Sequence, residues 1–448
     1  MIPCQVRTAF AAVALIVAIS AGAGAPAGAV TVQRVVSPGG IEAWLVEERA
    51  IPFLTIRFAF RGGAKLDPPG KAGLAQLVSG LLDEGAGERD SLAFQTQLEE
   101  LAIELWFEAQ RDVFSGSLKT LSEHREQAAD LLAAALTTPR FDTDAIERVR
   151  QQNLNALARI TRDPNRLARR LWAAAAFADH PYGRPKEGTA ESMSALAVED
   201  LRRFVAERLA RDVLVIGVSG DIGAADLGPL LDRAFAALPA EAAPAAVPET
   251  MPGARGAVVV ERMAVPQSVA VFGHGGVKRD DPDYYAAYVM NHVLGGGGFS
   301  SRLTEEVREK RGLAYGVYSY LIPLVRSAVF AGGVATENAR VAESLELIRA
   351  ELTRLRDGGV TRTELADAKT YITGSFPLRL DSNREVAGRL MGMQLADLGI
   401  DYLDRRNRLI EAVTLDDIRR VARRMIAPEA LTVVVVGDPQ GVTPTGLD

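Results

Sequence analysis

FSGSLKTLSEHREQAADLLAAAL, beginning at Phe114, and FAGGVATENARVAESLELIRAEL, beginning at Phe330, are the two stretches whose comparison decides the fold. Each reads as the end of an alternating strand, a turn of small residues, and a helix with apolar side chains at helical spacing. They start 216 residues apart. A second pair, EDLRRFVAERLARDVLVIGVSGD ending at Asp221 and DDIRRVARRMIAPEALTVVVVGD ending at Asp438, lies 217 apart. Two separate anchors at nearly one offset mark an internal repeat, so the chain holds two copies of one α+β unit.

Between the copies, residues 238–255 read LPAEAAPAAVPETMPGAR, rich in Pro and Ala and without periodicity, the composition of a linker. Each copy opens with strands: residues 55–60 alternate on their way to the Gly62-Gly63 turn. Each closes with a helix and a short apolar strand, as in the β-branched run over residues 431–436. Strands at both ends with helices between predict an antiparallel-rich sheet with helices packed on one face. The expected organisation is a first α+β domain over 30–237, the linker, and a second over 256–448.

The 448 residues are 48% hydrophobic and 24% charged, ordinary globular composition for a chain of more than one domain. A net charge of -6 argues against a nucleic-acid surface, which needs a basic patch. Cys4 is the only cysteine, which excludes an intrachain disulfide, a CxxC pair and a thiolate zinc site. Arg7 precedes an apolar run, Ala9 to Ala18, that leads into SAGAGAPAGA. This is the pattern of a secretory signal peptide over residues 1–29, cleaved after Ala25 or Ala29. The run is too short for a permanent membrane anchor, so an exported protein is expected, periplasmic in a bacterium with two membranes.

Three further segments carry a family resemblance: GGAKLDPPGKAGLAQLVSGLLDEGAG from Gly62, HPYGRPKEGT from His180, and RDDPDYYAAYVMNHVLGGGGFSSRLTEEVREKRGLAYGVYSYL from Arg279. The chain resembles the zinc peptidases of the insulinase or pitrilysin type over nearly its whole length beyond the signal peptide. The resemblance implies paired halves forming a clam-shell around a chamber. It also implies an HxxEH motif on the first helix, with two His on one helix face binding zinc and the Glu acting as general base. Here the aligned run is Gln76-Leu77-Val78-Ser79-Gly80. The family's third ligand, a Glu before a D-P step, aligns with Asn155 or Ala156. All three metal positions are lost together. The four histidines, His124, His180, His274 and His292, offer no pair at ligand spacing, so no metal or other cofactor is expected in this chain.

A different family feature is present. An Arg at a helix end and a Tyr seven residues later, which in the family reach across the chamber to the zinc site, match Arg308 and Tyr315. The local pattern places Leu303 to Arg311 on a helix, Gly312 at a left-handed cap and Leu313 onward on a strand. Arg311 would answer the helix-end electrostatics as well as Arg308 does, so position in the helix alone does not single out Arg308. Alternation puts Tyr318 and Tyr320 on the other strand face from Tyr315. Gly295, Gly296, Gly297 and Gly298 lack the following Gly-Lys-Ser/Thr of a phosphate loop; they serve either a tight helix-to-helix turn or a substrate-contacting loop.

These features lead to the expectation of a non-catalytic subunit that lends Arg308 and Tyr315 to an HxxEH-bearing partner of similar length, which holds the zinc and cleaves enclosed peptides. A structural or peptide-binding scaffold of the same fold is the alternative. A serine hydrolase has little support, since no G-x-S-x-G elbow surrounds Ser79.

Overall fold

The computed structural model describes residues 31–253 and 255–445; the expected signal peptide, residues 1–29, lies outside the described residues. The first half holds strands β1 (Gln33–Val36), β2 (Glu42–Glu47), β3 (Phe53–Arg61), β4 (Glu104–Ala109), β5 (Val113–Leu121) and β6 (Leu214–Gly220). Its helices are α1 (Leu74–Ser79), α2 (Ser91–Glu100), α3 (Arg125–Thr137), α4 (Thr143–Ile160), α5 (Pro164–Ala176), α6 (Ala190–Ser194), α7 (Val198–Arg208) and α8 (Ala224–Phe235). The second half holds β7 (Val258–Arg262), β8 (Gln267–Gly275), β9 (Ala314–Leu324), β10 (Ser327–Glu337) and β11 (Thr432–Gly437). Its helices are α9 (Tyr284–Asn291), α10 (Val341–Gly358), α11 (Arg362–Gly374), α12 (Asn383–Leu395), α13 (Tyr402–Glu411) and α14 (Leu415–Met425).

The sheets run β1-β2-β6-β3-β5-β4 and β7-β11-β8-β10-β9. Each has one parallel pair, β2 with β6 and β7 with β11, and is otherwise antiparallel. The halves are therefore two copies of one α+β unit, as the repeat implies. Packing repeats too. The Phe58 ring lies across Gly116 and the Phe272 ring across Gly332, its partner in register, and a Cβ on either glycine would sit 2.2 or 2.3 Å from the ring. Only glycine leaves room for the aromatic.

One face of each sheet is covered by helices of its own half. The first core joins Phe58, Phe60 and Phe114 of the sheet to Leu132 of α3, Phe204 of α7 and Phe235 of α8. The second joins Phe272 and Phe330 to Val289 of α9, Leu352 of α10 and Val421 of α14. The opposite face of each sheet is covered by a helix of the other half. Ala168, Trp172 and Ala176 of α5 pack on Val271, Ala331 and Val434 of the second sheet. Leu390 and Met393 of α12 pack with Trp44, and Met391 with Ala59 and Val215, of the first sheet. Helices on one face is thus half of the arrangement, and the exchange of α5 and α12 completes it.

Side-chain hydrogen bonds fix both exchanged helices. Trp172 Nε1 donates to the Thr432 carbonyl at 3.0 Å, and Gln394 Nε2 donates to the Ile216 carbonyl at 2.7 Å. Thr432 and Ile216 each stand just before the residue at which the parallel neighbour begins to pair. The crossing helix thus serves carbonyls next to the start of the parallel ladder. Arg61 adds bonds to the Gln394 and Leu395 carbonyls at the end of α12. The closest approach is at Gly217, where a Cβ would lie 2.2 Å from the Ala387 carbonyl oxygen.

Gly217→Ala is accordingly expected to push α12 off the sheet and cost about 2–3 kcal/mol, the usual price of overpacking. Gly388→Ala, inside α12 with nothing within 4 Å of its Cβ position, is expected to stabilise by about 0.5–1 kcal/mol. Urea unfolding of the two variants checks the pair; equal effects of one sign would contradict the close-packed crossing.

Candidate functional site

Helix α1 is launched by Asp67, whose buried carboxylate accepts hydrogen bonds from the Gly73 and Ala75 amides at 3.0 and 3.2 Å. Burial pushes this carboxyl up to about 7 against the pull of those amides. Further along, Gln76 is half-buried and Ser79 is buried, its hydroxyl donating to the Gln76 carbonyl at 2.8 Å. Gly80 ends the helix, and a Cβ there would lie 2.9 Å from Val149 Cγ1 of α4. A side chain at this position would have to displace that valine. Asn155 is exposed on the same helix α4. An amide, an engaged hydroxyl and a hydrogen atom do not make a zinc donor set, so the residues present do not fit the family's metal.

The histidines are used elsewhere. His180 Nδ1 accepts from the Tyr182 amide at 3.1 Å, which leaves Nε2 to donate to the Pro248 carbonyl at 3.0 Å. His274 stacks on Phe330 and bonds the Gly275 carbonyl at 2.7 Å; burial lowers its pKa. His292 stacks on Tyr371, and His124 lies 3.9 Å from Glu123. Among the described residues no group of three or more His, Cys, Asp or Glu is placed to hold a metal ion.

The second half carries the other constellation. The chain preceding β9 is helical as read, but residues Thr304–Glu309 form a widened turn, with the Lys310 amide reaching the Glu305 carbonyl five residues back. Such π-type turns gather at functional sites. Gly312 has φ +60°, and its amide bonds the Arg308 carbonyl at 2.8 Å. Glu306, buried beneath this turn, accepts from Lys310 and Arg311 at 2.7 Å each, and Arg311 also caps the Glu306 carbonyl at 2.8 Å. The two cations hold the Glu306 carboxyl down to about 2. Arg311 and Lys310 therefore do the structural work of this helix end.

Arg308 is left for something else. Its guanidinium lies between two rings, 4.7 Å from the Phe299 centroid and 5.2 Å from that of Tyr315. Its one carboxylate neighbour among the described residues is Glu309, at a loose 3.4 Å. Both rings face solvent, Tyr315 83% exposed and Phe299 72%. The register explains the exposure of Tyr315. Ala314 stands opposite Thr336 and Gly316 opposite Ala335, so Tyr315 is the extra residue of a β-bulge. Alternation fails here: Ala314 and Val317, three apart, enter the same core. The period-two argument separating Tyr315 from Tyr318 and Tyr320 is replaced by the bulge; those two stack on each other, and Arg169 of α5 donates to the Tyr318 hydroxyl at 2.9 Å.

The four glycines divide. Gly295 is buried against β9, where a Cβ would sit 2.5 Å from Ser319 Oγ, and Ser319 is itself bonded to Asn291 at 2.8 Å. Gly296 and Gly297 are packed back against Asn291 and His292. Gly298 has φ +61° with open space around it, and it turns the chain so that Phe299 meets Arg308. The run is thus anchored at one end and presents an aromatic at the other. Phe299 escaped sequence reading because a ring after four glycines has no periodicity to place it. Among the described residues no hydrogen bond, ion pair or ring contact joins this group to Gln76, Ser79 or Gly80.

Comparison with known proteins matches residues 45–190 to the family described as insulinase (peptidase family M16) and residues 195–372 to that described as the peptidase M16 inactive domain. The non-peptidase homolog YmxG of Helicobacter pylori is 31% identical over 77% of this chain and 79% of its own length. An uncharacterized zinc protease of Streptomyces coelicolor is 27% identical over 88% of this chain and 87% of its own. The crystal structure of a peptidase M16 inactive domain from Pseudomonas fluorescens superposes with a TM-score of 0.86 at 29% identity, covering 93% of this chain and all of that one.

Two outcomes are expected. The purified chain carries no stoichiometric zinc by elemental analysis; one zinc per chain would show that the substituted α1 still binds metal. The depressed Glu306 pKa contributes stability that is present above the usual carboxylate range and lost as pH falls toward about 2. Urea unfolding at pH 6 and pH 3 is therefore expected to show a smaller acid loss for Glu306→Gln than for the parent chain, and an equal loss would contradict the ion-pair assignment.

Proposed function

Because the chain belongs to the insulinase family, peptidase family M16, we propose that it is the non-catalytic subunit of an exported heterodimeric zinc metallopeptidase. The partner is an HxxEH-bearing relative of similar length, which supplies the zinc and the general base. The observation that carries this reading is the contrast between the two constellations. A side chain at Gly80 would meet Val149 Cγ1 at 2.9 Å, while half-buried Arg308 and exposed Tyr315 stand together without a close carboxylate partner.

An arginine without a firm carboxylate partner keeps its donors for a ligand. A guanidinium and a phenol side by side can donate to a peptide carbonyl and to the oxyanion that develops as it is attacked. The Phe299 and Tyr315 rings hold the guanidinium plane by cation–π contact, so the donors are oriented before a substrate arrives. Exposure of the group suits a role completed by a second chain, and peptide substrates would be enclosed between the two. The scaffold reading gives no use to Arg308 held beside a solvent-facing Tyr315.

Co-expression with an HxxEH-bearing M16 chain is expected to give a zinc-dependent peptidase. Arg308→Ala and Tyr315→Phe are each expected to lower its turnover by about 100-fold, the effect of removing an oxyanion donor, with heterodimer formation unchanged by size-exclusion chromatography. Full turnover in both variants would remove the assigned roles and leave the scaffold.

A further inference from the structure

Where α12 leaves its own half to cross the first sheet, it walls a cavity of about 320 Å³ together with α9 and α13. Four arginines line it: Arg279, Arg379, Arg389 and Arg406. No Asp or Glu does. The rest of the lining is largely aromatic, from Tyr284, Tyr285, Tyr288, Phe376 and Tyr402.

Burying a cation costs free energy unless an opposite charge or a full set of acceptors compensates it. Elsewhere in this chain a carboxylate does so, as Glu364 does for the largely buried Arg302 at 2.6 Å. Among the described residues none of the four cavity arginines forms an ion pair, and their partners are neutral. Arg279 lies 4.1 Å over the Tyr284 ring and donates to the hydroxyls of Tyr285 and Tyr402 at 3.0 and 3.2 Å. Arg406, only 7% exposed, stacks 3.9 Å over Phe376 and donates to Asn407 Oδ1 at 2.9 Å. Burial holds its pKa below the usual arginine value, and the charge of Arg389 adds in the same direction. Arg389 lies near the same Phe376 ring, and its Nε is buried with no hydrogen-bond partner. Two like charges share one ring, and a buried donor is unspent.

A small chamber lined by four guanidinium groups and no carboxylate, with one buried donor unspent, is complementary in charge and hydrogen bonding to an anion. Its volume sits at the low end of ligand pockets, which suits a compact molecule and excludes a folded partner. We propose that this cavity is a binding site for a small, multiply charged oxyanion, whose phosphate or carboxylate oxygens take the donors of Arg379, Arg389 and Arg406 while its body rests on the tyrosine and phenylalanine walls. Planar guanidinium forks match both oxyanion types. The site is separate from Arg308 and Tyr315 and does not rest on the proposed subunit role. Because α12 forms one wall and also covers the first sheet, an anion bound here strengthens the join between the halves.

The test is titration calorimetry and thermal unfolding of the full exported chain at low ionic strength with pyrophosphate, citrate and inorganic phosphate, against sodium chloride at matched ionic strength. Pyrophosphate or citrate is expected to bind with a Kd of about 100 μM or tighter and to raise the Tm by several degrees, with chloride doing neither. Tighter binding of pyrophosphate assigns the site to phosphate compounds, and tighter binding of citrate to polycarboxylates. Arg389→Gln is expected to weaken binding at least tenfold while raising the Tm of the ligand-free chain, since it removes repulsion against Arg406. Arg379→Gln, on an exposed turn, is expected to weaken binding with the ligand-free Tm unchanged. No binding of either anion beyond the chloride baseline, or unaltered affinity in both variants, overturns the proposal.

Discussion

Each sheet of this protein is a two-sided object that its own half can cover on one side alone. The exchange of α5 and α12 resolves this, and most of the architecture depends on it. A central strand such as β11, buried along its whole length, would otherwise expose an apolar face. Trp172 and Gln394 lock the exchange by serving backbone carbonyls of the opposite sheet. Neither half has a complete core without the other, which makes the two repeats one cooperative unit.

That constraint positions both surfaces of functional interest. The outer edge of the second sheet is β9, whose first residues carry the bulge at Tyr315, while its later residues pack toward α5 through Tyr318 and Tyr320. Tyr315 is therefore borne at the start of a strand held from both faces, and Arg308 on the hydrogen-bonded turn that leads into it, so the pair is oriented by scaffold and not by a free loop. The arginine-lined cavity arises from the same crossing, where the helix α12 has to turn away from its own half.

The end of α1 at Gly80 and the group around Arg308 differ in how their neighbours treat them. Around Gly80 the packing is close, with Val149 where a Cβ would need room and Ser79 turned to its own backbone. Around Arg308 the side chain is held against the Phe299 and Tyr315 rings, and the buried Glu306 carboxylate on the same turn is claimed by Lys310 and Arg311.

Much of this was legible in the sequence. The repeat followed from two offsets, the sheets from alternating runs and the cap at Gly312 from residue type, because each rests on local pattern or identity. The nearly continuous β-branched run over residues 431–436 also suited a buried strand, though it did not say what would cover it. The identity of the covering helix, the bulge that frees Tyr315, the ring of Phe299 over Arg308 and the gathering of four distant arginines were decided by tertiary structure. Each depends on register or on contacts between segments far apart in the chain, and periodicity within one segment carries no information about which distant surface will meet it.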